Sequence, residues 1–436
     1  MNNPGFRQAV YVVSAAALIV SSVLPAHAAP RGEFRISPLY ANQGPSTRSA
    51  GARPVDPGSL ASQMAVVYAS EHGTTCARPD TETVFALLDY SDPVPVHYLA
   101  TPLGFGVTQR SIGEGSGGLR IELRGTQQLE RYPLAKAAFL RAAQAWEAVV
   151  ESPVTVVIDA DFGPNLPGGE PWPANVLGGT FEQRVTAEGG YPAVRRALIE
   201  GADREAERAQ YEALPEHSVM TDIGPFSRID SASPVLRALG LIGAHADPAR
   251  EQDELGSPPW IGFNSAHNWD FDPDDGIDPD KQDFVGTAVH EIGHALGFVS
   301  RVGELELRPW MPPSLSVWDL HRLIPGAGAD FTPAPRLLTS GGEHVHYSAR
   351  GEIALSTGRP DGAGGDGHQA SHWKDDDLGG EFLGIMDPTQ DWGVASVITD
   401  NDLNALDLMG YEIAAQPENP VLGPGPVPGG FVFTLP

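Results

Sequence analysis

One stretch of the chain, residues 278–300, restricts what the rest can be, because it predicts a helix that carries two histidines on one side. Asp278 suits the cap of this helix, and Pro279 suits its first position, where no N–H partner is needed. Apolar residues then recur at helical spacing: Val285, Val289, Ile292 and Leu296. This pattern predicts a helix that is anchored by one buried face.

Residues 290–294 of that helix form the motif H-E-x-x-H, with His290 and His294 one turn apart and Glu291 beside them. The two imidazoles lie roughly opposite the apolar stripe, within about 40° of each other. Such a pair suits one tetrahedral zinc ion, and Glu291 can act as general base on a zinc-bound water without being a ligand. The alternative is a surface helix with two solvated histidines. The cap, the apolar face and Gly297, in H-E-x-x-H-x-x-G, favour zinc.

The charge of the chain argues against two classes of partner. Of its 436 residues, 56 are acidic and 28 are basic, so the formal net charge is −28. Lysine and arginine form no cluster. We therefore expect neither nucleic acid nor an anionic membrane as a partner. The sequence leaves the oligomeric state open.

The N-terminus predicts export. Arg7 precedes an apolar run over residues 9–24, and Ala26-His27-Ala28 is an A-x-A cleavage site, so residues 1–28 read as a signal peptide. The alternative is a membrane anchor, but the run is short for a span. We expect a secreted protein, extracellular or periplasmic, with no stable membrane anchor after cleavage. Residues 416–436 are rich in proline and glycine and predict a flexible tail.

Residues 29–117 are rich in small residues and predict a pro-region that ends in a glycine-rich linker; a loosely folded extension is the alternative. They contain Cys76, the only cysteine, so no internal disulfide forms. The segment 76–80, Cys-Ala-Arg-Pro-Asp, resembles the C-x-x-P-D part of the cysteine switch in matrix metalloprotease pro-regions. There a thiolate takes the fourth position on zinc, and the enzyme is a zymogen. The alternative is a thiol without a role.

The region from residue 118 onward has clearer periodicity. Residues 119–123 and 154–158 predict strands on either side of a helix that opens at Pro133, a βαβ unit. Residues 191–214 predict one long helix, and residues 260–264 a short strand. The acidic residues in 270–280 approach a calcium loop, but Asp275 stands where glycine is needed, so a solvated loop is the favoured reading and Ca²⁺ the alternative.

A catalytic zinc needs a third protein ligand. Ser300, six residues after His294, is a poor one, so the ligand lies elsewhere. Residues 371–388 include a His-Trp pair and the run Ile-Met-Asp-Pro. Together with His-Glu-x-x-His-Ala-Leu-Gly-Phe at 290–298, they resemble leishmanolysin and its bacterial relatives. The helix expected over 399–410, opened by a capping box at Thr399 and Asp402, fits the same family.

The resemblance implies a fold and a function. The fold is an α+β metzincin-type domain over residues 118–415, with a twisted sheet, a backing helix, an active-site helix and a C-terminal subdomain. His372 is then the third ligand of one catalytic Zn²⁺, Met386 forms the turn beneath it, and residues 301–371 are an insertion. His344, His346 and His368 are competing histidines, with His368 the runner-up for the third ligand.

The function implied is a secreted zinc endopeptidase that acts on a protein or peptide substrate and cleaves peptide bonds with Glu291 as general base. By analogy, an extended substrate pairs with strand 260–264. Two alternatives remain: a zinc hydrolase of non-peptide bonds, and a zinc-bearing secreted binding protein that cleaves nothing. The chain departs from leishmanolysin in having no disulfides, and its insertion has its own sequence, so substrate preference does not carry over.

Overall fold

An eight-stranded mixed sheet is the frame of this α+β fold. The computed structural model describes residues 63–80, 83–84, 87, 96–99, 118–167, 169–243, 254–307, 309–310, 312–358 and 364–414. The predicted signal peptide and the tail 416–436 lie outside the described residues. Among the described residues, no helix combines the length and the apolar character needed to cross a bilayer.

The described strands, in chain order, are β1 Met64–Ala69, β2 Gly73–Ala77, β3 Val96–Tyr98, β4 Arg120–Thr126, β5 Thr155–Gly163, β6 Val176–Phe181, β7 Arg184–Thr186, β8 Val219–Thr221, β9 Gly224–Phe226, β10 Asp230–Ala232, β11 Trp260–Asn264, β12 Trp269–Asp270, β13 Gln282–Asp283, β14 Arg322–Leu323, β15 His344–Ser348, β16 Gly351–Leu355 and β17 Thr389–Asp391. The described α-helices are α1 Pro133–Glu147, α2 Gly190–Gly201, α3 Glu205–Glu212, α4 Ser233–Ala238, α5 Phe284–Leu296, α6 Glu304–Leu307, α7 Asp376–Gly379 and α8 Asp400–Leu408.

The strand order of the main sheet is β17-β2-β1-β6-β11-β5-β4-β3. Strands β4, β5 and β11 run parallel to one another, and the remaining neighbours pair antiparallel. The predicted βαβ unit is therefore present as β4-α1-β5. The structure divides the single helix expected over 191–214 into α2 and α3, with residues 202–204 between them.

Helix α5 carries H-E-x-x-H and lies against α1. Trp146 of α1 donates its indole N–H to the carbonyl of Val289 at 2.9 Å, and Phe139 packs edge-on against Phe284, with ring centroids 5.0 Å apart. Every residue of α5 is buried, so the expectation of a buried apolar face is met and the surface-helix alternative is wrong. Because aromatic contacts fix both ends of the α1–α5 interface, the motif sits on a rigid element.

The predicted start of this helix is wrong. Asp278 and Pro279 lie in the preceding turn, and the helix begins at Phe284 with Asp283 as its cap. The Asp283 carboxylate accepts the N–H of Gly286 at 2.9 Å. Burial raises the pKa of Asp283 to about 6. Asp278 and Asp283 are equally good local caps. Because β13 pairs with β12, residues 282–283 stay extended and the helix begins only after Asp283.

The insertion 301–371 folds onto the same core instead of forming a separate unit. It supplies the sheet β14-β15-β16, and its Trp318 packs against Phe298 and Trp373. Strand β16 ends at Leu355, and the next residue, Ser356, donates its backbone N–H to the carbonyl of His372 at 3.1 Å. The insertion thus fixes the backbone that carries His372.

The boundary predicted at residue 118 does not coincide with a break in the sheet. Strands β1 and β2 come from the predicted pro-region, yet they lie between β6 and β17. Val67 of β1 belongs to the same hydrophobic core as the residues of α5 and α8. At the other end of the chain, Thr399 caps α8, and the predicted capping box with Asp402 is confirmed.

Candidate metal centre

Four side chains from three distant parts of the chain meet beside α5. The Nε2 atom of His372 lies 3.2 Å from Nε2 of His290 and 3.1 Å from Nε2 of His294. The Sγ atom of Cys76 lies 3.7 Å from Nε2 of His294. The four donor atoms all lie within 4.8 Å of one another, and all four residues are buried.

The outer ring nitrogens settle which tautomer each histidine adopts. His290 Nδ1 contacts the carbonyl of Ile385 at 2.7 Å, and His294 Nδ1 contacts that of Phe298 at 2.8 Å. His372 Nδ1 lies 2.9 Å from the carbonyl of Gln369. A carbonyl only accepts, so each Nδ1 carries the proton and each Nε2 of a neutral ring presents a lone pair.

Burial keeps these rings neutral. It lowers the pKa of His290 to about 3 and that of His294 to about 4, and it depresses the pKa of His372 as well. The lone pair of His372 therefore lies 3.2 Å from that of His290 and 3.1 Å from that of His294. Lone pairs this close repel one another, and a cation between them would relieve the repulsion, so the group could hold a metal ion.

The spacing fits zinc. Tetrahedral zinc, with bonds of about 2.05 Å to nitrogen and 2.3 Å to sulfur, places two nitrogens about 3.3 Å apart and nitrogen and sulfur about 3.6 Å apart. The observed 3.1–3.2 Å and 3.7 Å agree with these values. Three imidazoles and a thiol are also the donor types that zinc prefers. The residues present thus fit a zinc ion held by His290, His294 and His372, with Cys76 at the fourth position.

Glu291 lies in the same buried space with one oxygen uncommitted. Its Oε1 lies 3.8 Å from Cys76 Sγ, and its Oε2 has no hydrogen-bond partner among the described residues. Burial raises the pKa of Glu291 to about 8. Burial, and then the nearby Glu291 carboxylate, raise the pKa of the Cys76 thiol well above its usual value. The carboxyl group therefore sits next to the four donors, free to exchange a proton.

Met386 is completely buried and packs beside Gly293 of α5. A methyl group added at Gly293, inside the H-E-x-x-H motif, would lie 2.5 Å from its sulfur. The helix and the turn at 384–387 therefore touch at a position where only glycine fits. Sequence reasoning did not use Gly293, although a glycine inside a helix is itself a signal of close packing.

Asp402 ties the surrounding segments together, a role that the sequence did not reveal beyond its part in the capping box. The Asp402 carboxylate is fully buried and accepts the indole N–H of Trp373 at 2.7 Å. It also accepts the backbone N–H groups of Ile385 at 2.8 Å and Thr399 at 2.7 Å. One side chain thus links the segment after His372, the turn at Met386 and the start of α8.

The competing histidines lie elsewhere. His368 forms an ion pair with Asp375, at 2.7 Å, and His344 accepts a hydrogen bond from Arg322 at 3.0 Å. His346 packs against Trp318. Of these four histidines, only His372 joins His290, His294 and Cys76 in the group of described residues that could hold a metal ion.

The acidic loop 270–280 shows no comparable cluster within the described part of the chain. Asp270 accepts the N–H groups of Asp272 and Asp278, and Asp274 pairs with Arg141 at 2.9 Å. Calcium binding in this loop stays a prediction.

The centre can bind a transition-metal ion through three neutral imidazoles, place a carboxyl group beside it, and close the last coordination position with a thiol. No protein-family model, curated protein or solved structure matches the chain.

Proposed function

We propose that the chain is a secreted zinc-dependent endopeptidase of the leishmanolysin-like metzincin type, synthesised as a zymogen. The observation that carries the proposal is the convergence of three Nε2 lone pairs next to the partner-free oxygen of Glu291. In H-E-x-x-H proteases this pairing of a three-histidine site with an adjacent carboxylate performs hydrolysis.

His290, His294 and His372 would hold the ion, each oriented by a backbone carbonyl at its Nδ1. Zinc, when bound, supplies a Lewis acid that polarises the scissile carbonyl and acidifies water. Glu291 accepts the proton of the attacking water at its free Oε2 and delivers it to the departing amine. The surrounding core excludes bulk water, which strengthens these charge interactions.

Cys76 accounts for latency in this scheme. Its sulfur lies where the fourth ligand belongs, and its thiol contacts Glu291 as well. A thiol in that position excludes water from the ion and engages the base at the same time. The zymogen would therefore bind zinc and yet be inactive.

The position of the Cys76 thiol beside the histidines also supports a second candidate function. Three histidines and one cysteine make a closed set of four ligands, which is typical of structural zinc sites. A zinc-bearing secreted binding protein would need the metal only for folding. Glu291 distinguishes the two, because a structural site needs no carboxyl group with an unpartnered oxygen in its centre.

To test this, limited proteolysis of the folded full-length chain first removes the residues before 118. Digestion of casein by the product is then measured. We expect hydrolysis that a zinc chelator abolishes and added zinc restores. Glu291→Gln should bind equal zinc and lose at least about 10³-fold in rate, the scale of general acid–base catalysis. Wild-type proteolysis by Glu291→Gln would overturn the mechanism.

Two other outcomes select the alternatives. Cleavage of an ester but not of casein would indicate a zinc hydrolase of non-peptide bonds. Zinc bound at full stoichiometry with no hydrolysis of either substrate would indicate the binding protein.

A further inference from the structure

Strand β6 lies against the helix α5 and is fixed within the main sheet. It pairs antiparallel with β1 on one side and with β11 on the other, and all six of its residues are buried. Strand β11 pairs in turn with β5. The expectation that an extended substrate pairs with strand 260–264 is therefore wrong, because that strand has no free edge. What β6 offers α5 is a rigid support.

Thr180 of β6 makes a hydrogen bond to the turn of α5 that carries H-E-x-x-H. Its hydroxyl donates to the main-chain carbonyl of Glu291 at 3.2 Å, and Thr180 itself is 2% exposed. Burial raises the pKa of Glu291 to about 8, and a hydrogen bond from the Thr180 side chain opposes that shift. The hydroxyl therefore lies within reach of both the main chain and the carboxyl group of Glu291.

Two further side chains hold α5 by its carbonyl groups. Trp146 donates its indole N–H to the carbonyl of Val289 at 2.9 Å, and Tyr411 donates its hydroxyl to that of Leu296 at 2.7 Å. At about 100° per residue, Leu296 lies within about 20° of Val289 around the helix, whereas the residue held by Thr180 lies about 160° away. The three donors thus grip opposite sides of α5 and fix its rotation about its own axis.

The orientation of Glu291 depends on this grip more than that of the three histidines does. Each histidine has a backbone carbonyl at its Nδ1 that sets the direction of the ring. The Glu291 carboxyl group has no such carbonyl: its Oε2 has no hydrogen-bond partner among the described residues, and its Oε1 faces the Cys76 thiol at 3.8 Å. In the proposed activation that thiol leaves. Of these two contacts, the one from Thr180 then remains.

We propose that Thr180 is a positioning residue for Glu291: its hydroxyl holds the turn of α5 that carries this carboxyl group and keeps the group beside the three histidines once the Cys76 thiol has left. This inference rests on the proposed function and adds a residue to it. In this role Thr180 acts only through Glu291. Its loss should therefore slow hydrolysis while the binding of zinc and of substrate stays the same.

Two substitutions separate the hydroxyl of Thr180 from its packing. Thr180→Val removes the hydroxyl and keeps the branched shape of the side chain, whereas Thr180→Ser keeps the hydroxyl and removes the methyl group. Thr155→Val is the matched control, because it makes the same change at a half-buried threonine of β5, in the same sheet.

The first measurement is casein hydrolysis after limited proteolysis of each folded, zinc-loaded variant, with kcat and KM determined separately. Thr180→Val should lower kcat at least about 10-fold at unchanged KM and zinc content, because a displaced general base loses much of its effect. Thr180→Ser and Thr155→Val should stay within about 2-fold of the wild type. An unchanged kcat in Thr180→Val, an equal fall in Thr180→Ser, or a loss of zinc in Thr180→Val would each overturn the inference.

The second measurement needs no catalysis. Acetohydroxamic acid chelates zinc through its two oxygens, and its hydroxyl proton is shared with a carboxylate beside the ion. Its binding to the full-length, zinc-loaded Cys76→Ala chain, which lacks the thiol at the fourth position, is measured by isothermal titration calorimetry. Adding Thr180→Val should weaken binding at least about 5-fold, and adding Thr180→Ser about 2-fold or less. Equal affinity with and without Thr180→Val would refute the positioning role.

The two measurements separate this inference from the proposed function. Weaker binding of acetohydroxamic acid on adding Thr180→Val, without casein hydrolysis by any form of the chain, would keep the positioning role and remove the protease. Casein hydrolysis that is equal in Thr180→Val and the wild type would keep the protease and remove the positioning role.

Discussion

Replacing Asp402 should destabilise the protein and loosen the metal centre together. Oδ1 accepts the N–H groups of Trp373 and, at 3.4 Å, Met386. Oδ2 accepts those of Ile385 and Thr399. Asp402→Ala leaves these four N–H groups without their acceptor. Each such donor costs about 1–3 kcal/mol, and breaking a buried charged network typically costs about 3–5 kcal/mol in total. We therefore expect a loss of about 4 kcal/mol in the free energy of unfolding.

Asp402→Asn is the sharper variant because it preserves shape. One of its two terminal atoms becomes an NH₂ group, and both positions face N–H donors, so either orientation opposes donor to donor. We expect a loss of about 2–3 kcal/mol. Asp400→Asn is the control, since Asp400 is exposed in the first turn of the same helix, and it should change stability by about 0.5 kcal/mol or less.

The assay is urea denaturation at pH 8, with zinc content measured on the same samples. Burial raises the pKa of Asp402 to about 6, so at pH 8 the carboxylate is ionised. Because Ile385 also orients His290 through its carbonyl, a loosened turn should weaken zinc binding by about 10-fold or more. Equal stability and equal zinc content in Asp402→Asn and Asp400→Asn would refute the reasoning.

Three further predictions follow from the contacts around the site. His372→Ala should lose most bound zinc, whereas His368→Ala should keep it, because His368 is engaged in an ion pair away from the histidines; metal analysis of the two variants decides between them. Gly293→Ala should cost about 1–3 kcal/mol in urea denaturation, since the added methyl group collides with the sulfur of Met386, and Gly293→Ala/Met386→Ala should cost less than the sum of the single changes. Burial lowers the pKa of His321 to about 3, so below pH 6.5 this side chain binds fewer protons in the folded chain than in the unfolded chain. The contribution of neutral His321 to the free energy of unfolding is therefore complete above pH 6.5 and falls as the pH drops toward 3. His321→Gln should therefore lose about 2 kcal/mol less than the wild type between pH 8 and pH 5, and an equal loss in both would contradict the assignment.

Local signals were sufficient where the structure is decided within a few residues. The spacing of Val285, Val289 and Ile292 predicts a buried helix face, and Thr399 with Asp402 predicts a capping box; both are present. The start of α5 was misplaced because Asp278 and Asp283 are equivalent as local caps. Only the pairing of β13 with β12, a contact outside the helix, decides between them.

Contacts between distant segments could not be read from spacing. Cys76 and Glu291 are 215 positions apart. No local pattern in either segment predicts that a strand of the predicted pro-region lies beside α5. Residue spacing does not distinguish His372 from the nearby His368 as the third ligand, so only the family resemblance favours His372. What places His372 at the site is the backbone bond from Ser356 to its carbonyl and the bond from Trp373 to Asp402.

The hairpin of β1 and β2, residues 64–77, links folding to the latency that we propose. An unpaired β6 would be an exposed sheet edge, which is a site of aggregation during folding, and β1 covers it. The same segment carries Cys76 to the histidines, so the chain cannot complete this edge of the sheet without also closing the metal centre. Under the proposed function, activation would therefore follow folding and remove the strands as well as the thiol. A chain that begins at residue 118 should consequently refold in lower yield than the full-length chain, whereas the same fragment produced by proteolysis of folded protein should be active. Equal refolding yields would show that β6 needs no cover and would leave the hairpin with an inhibitory role alone.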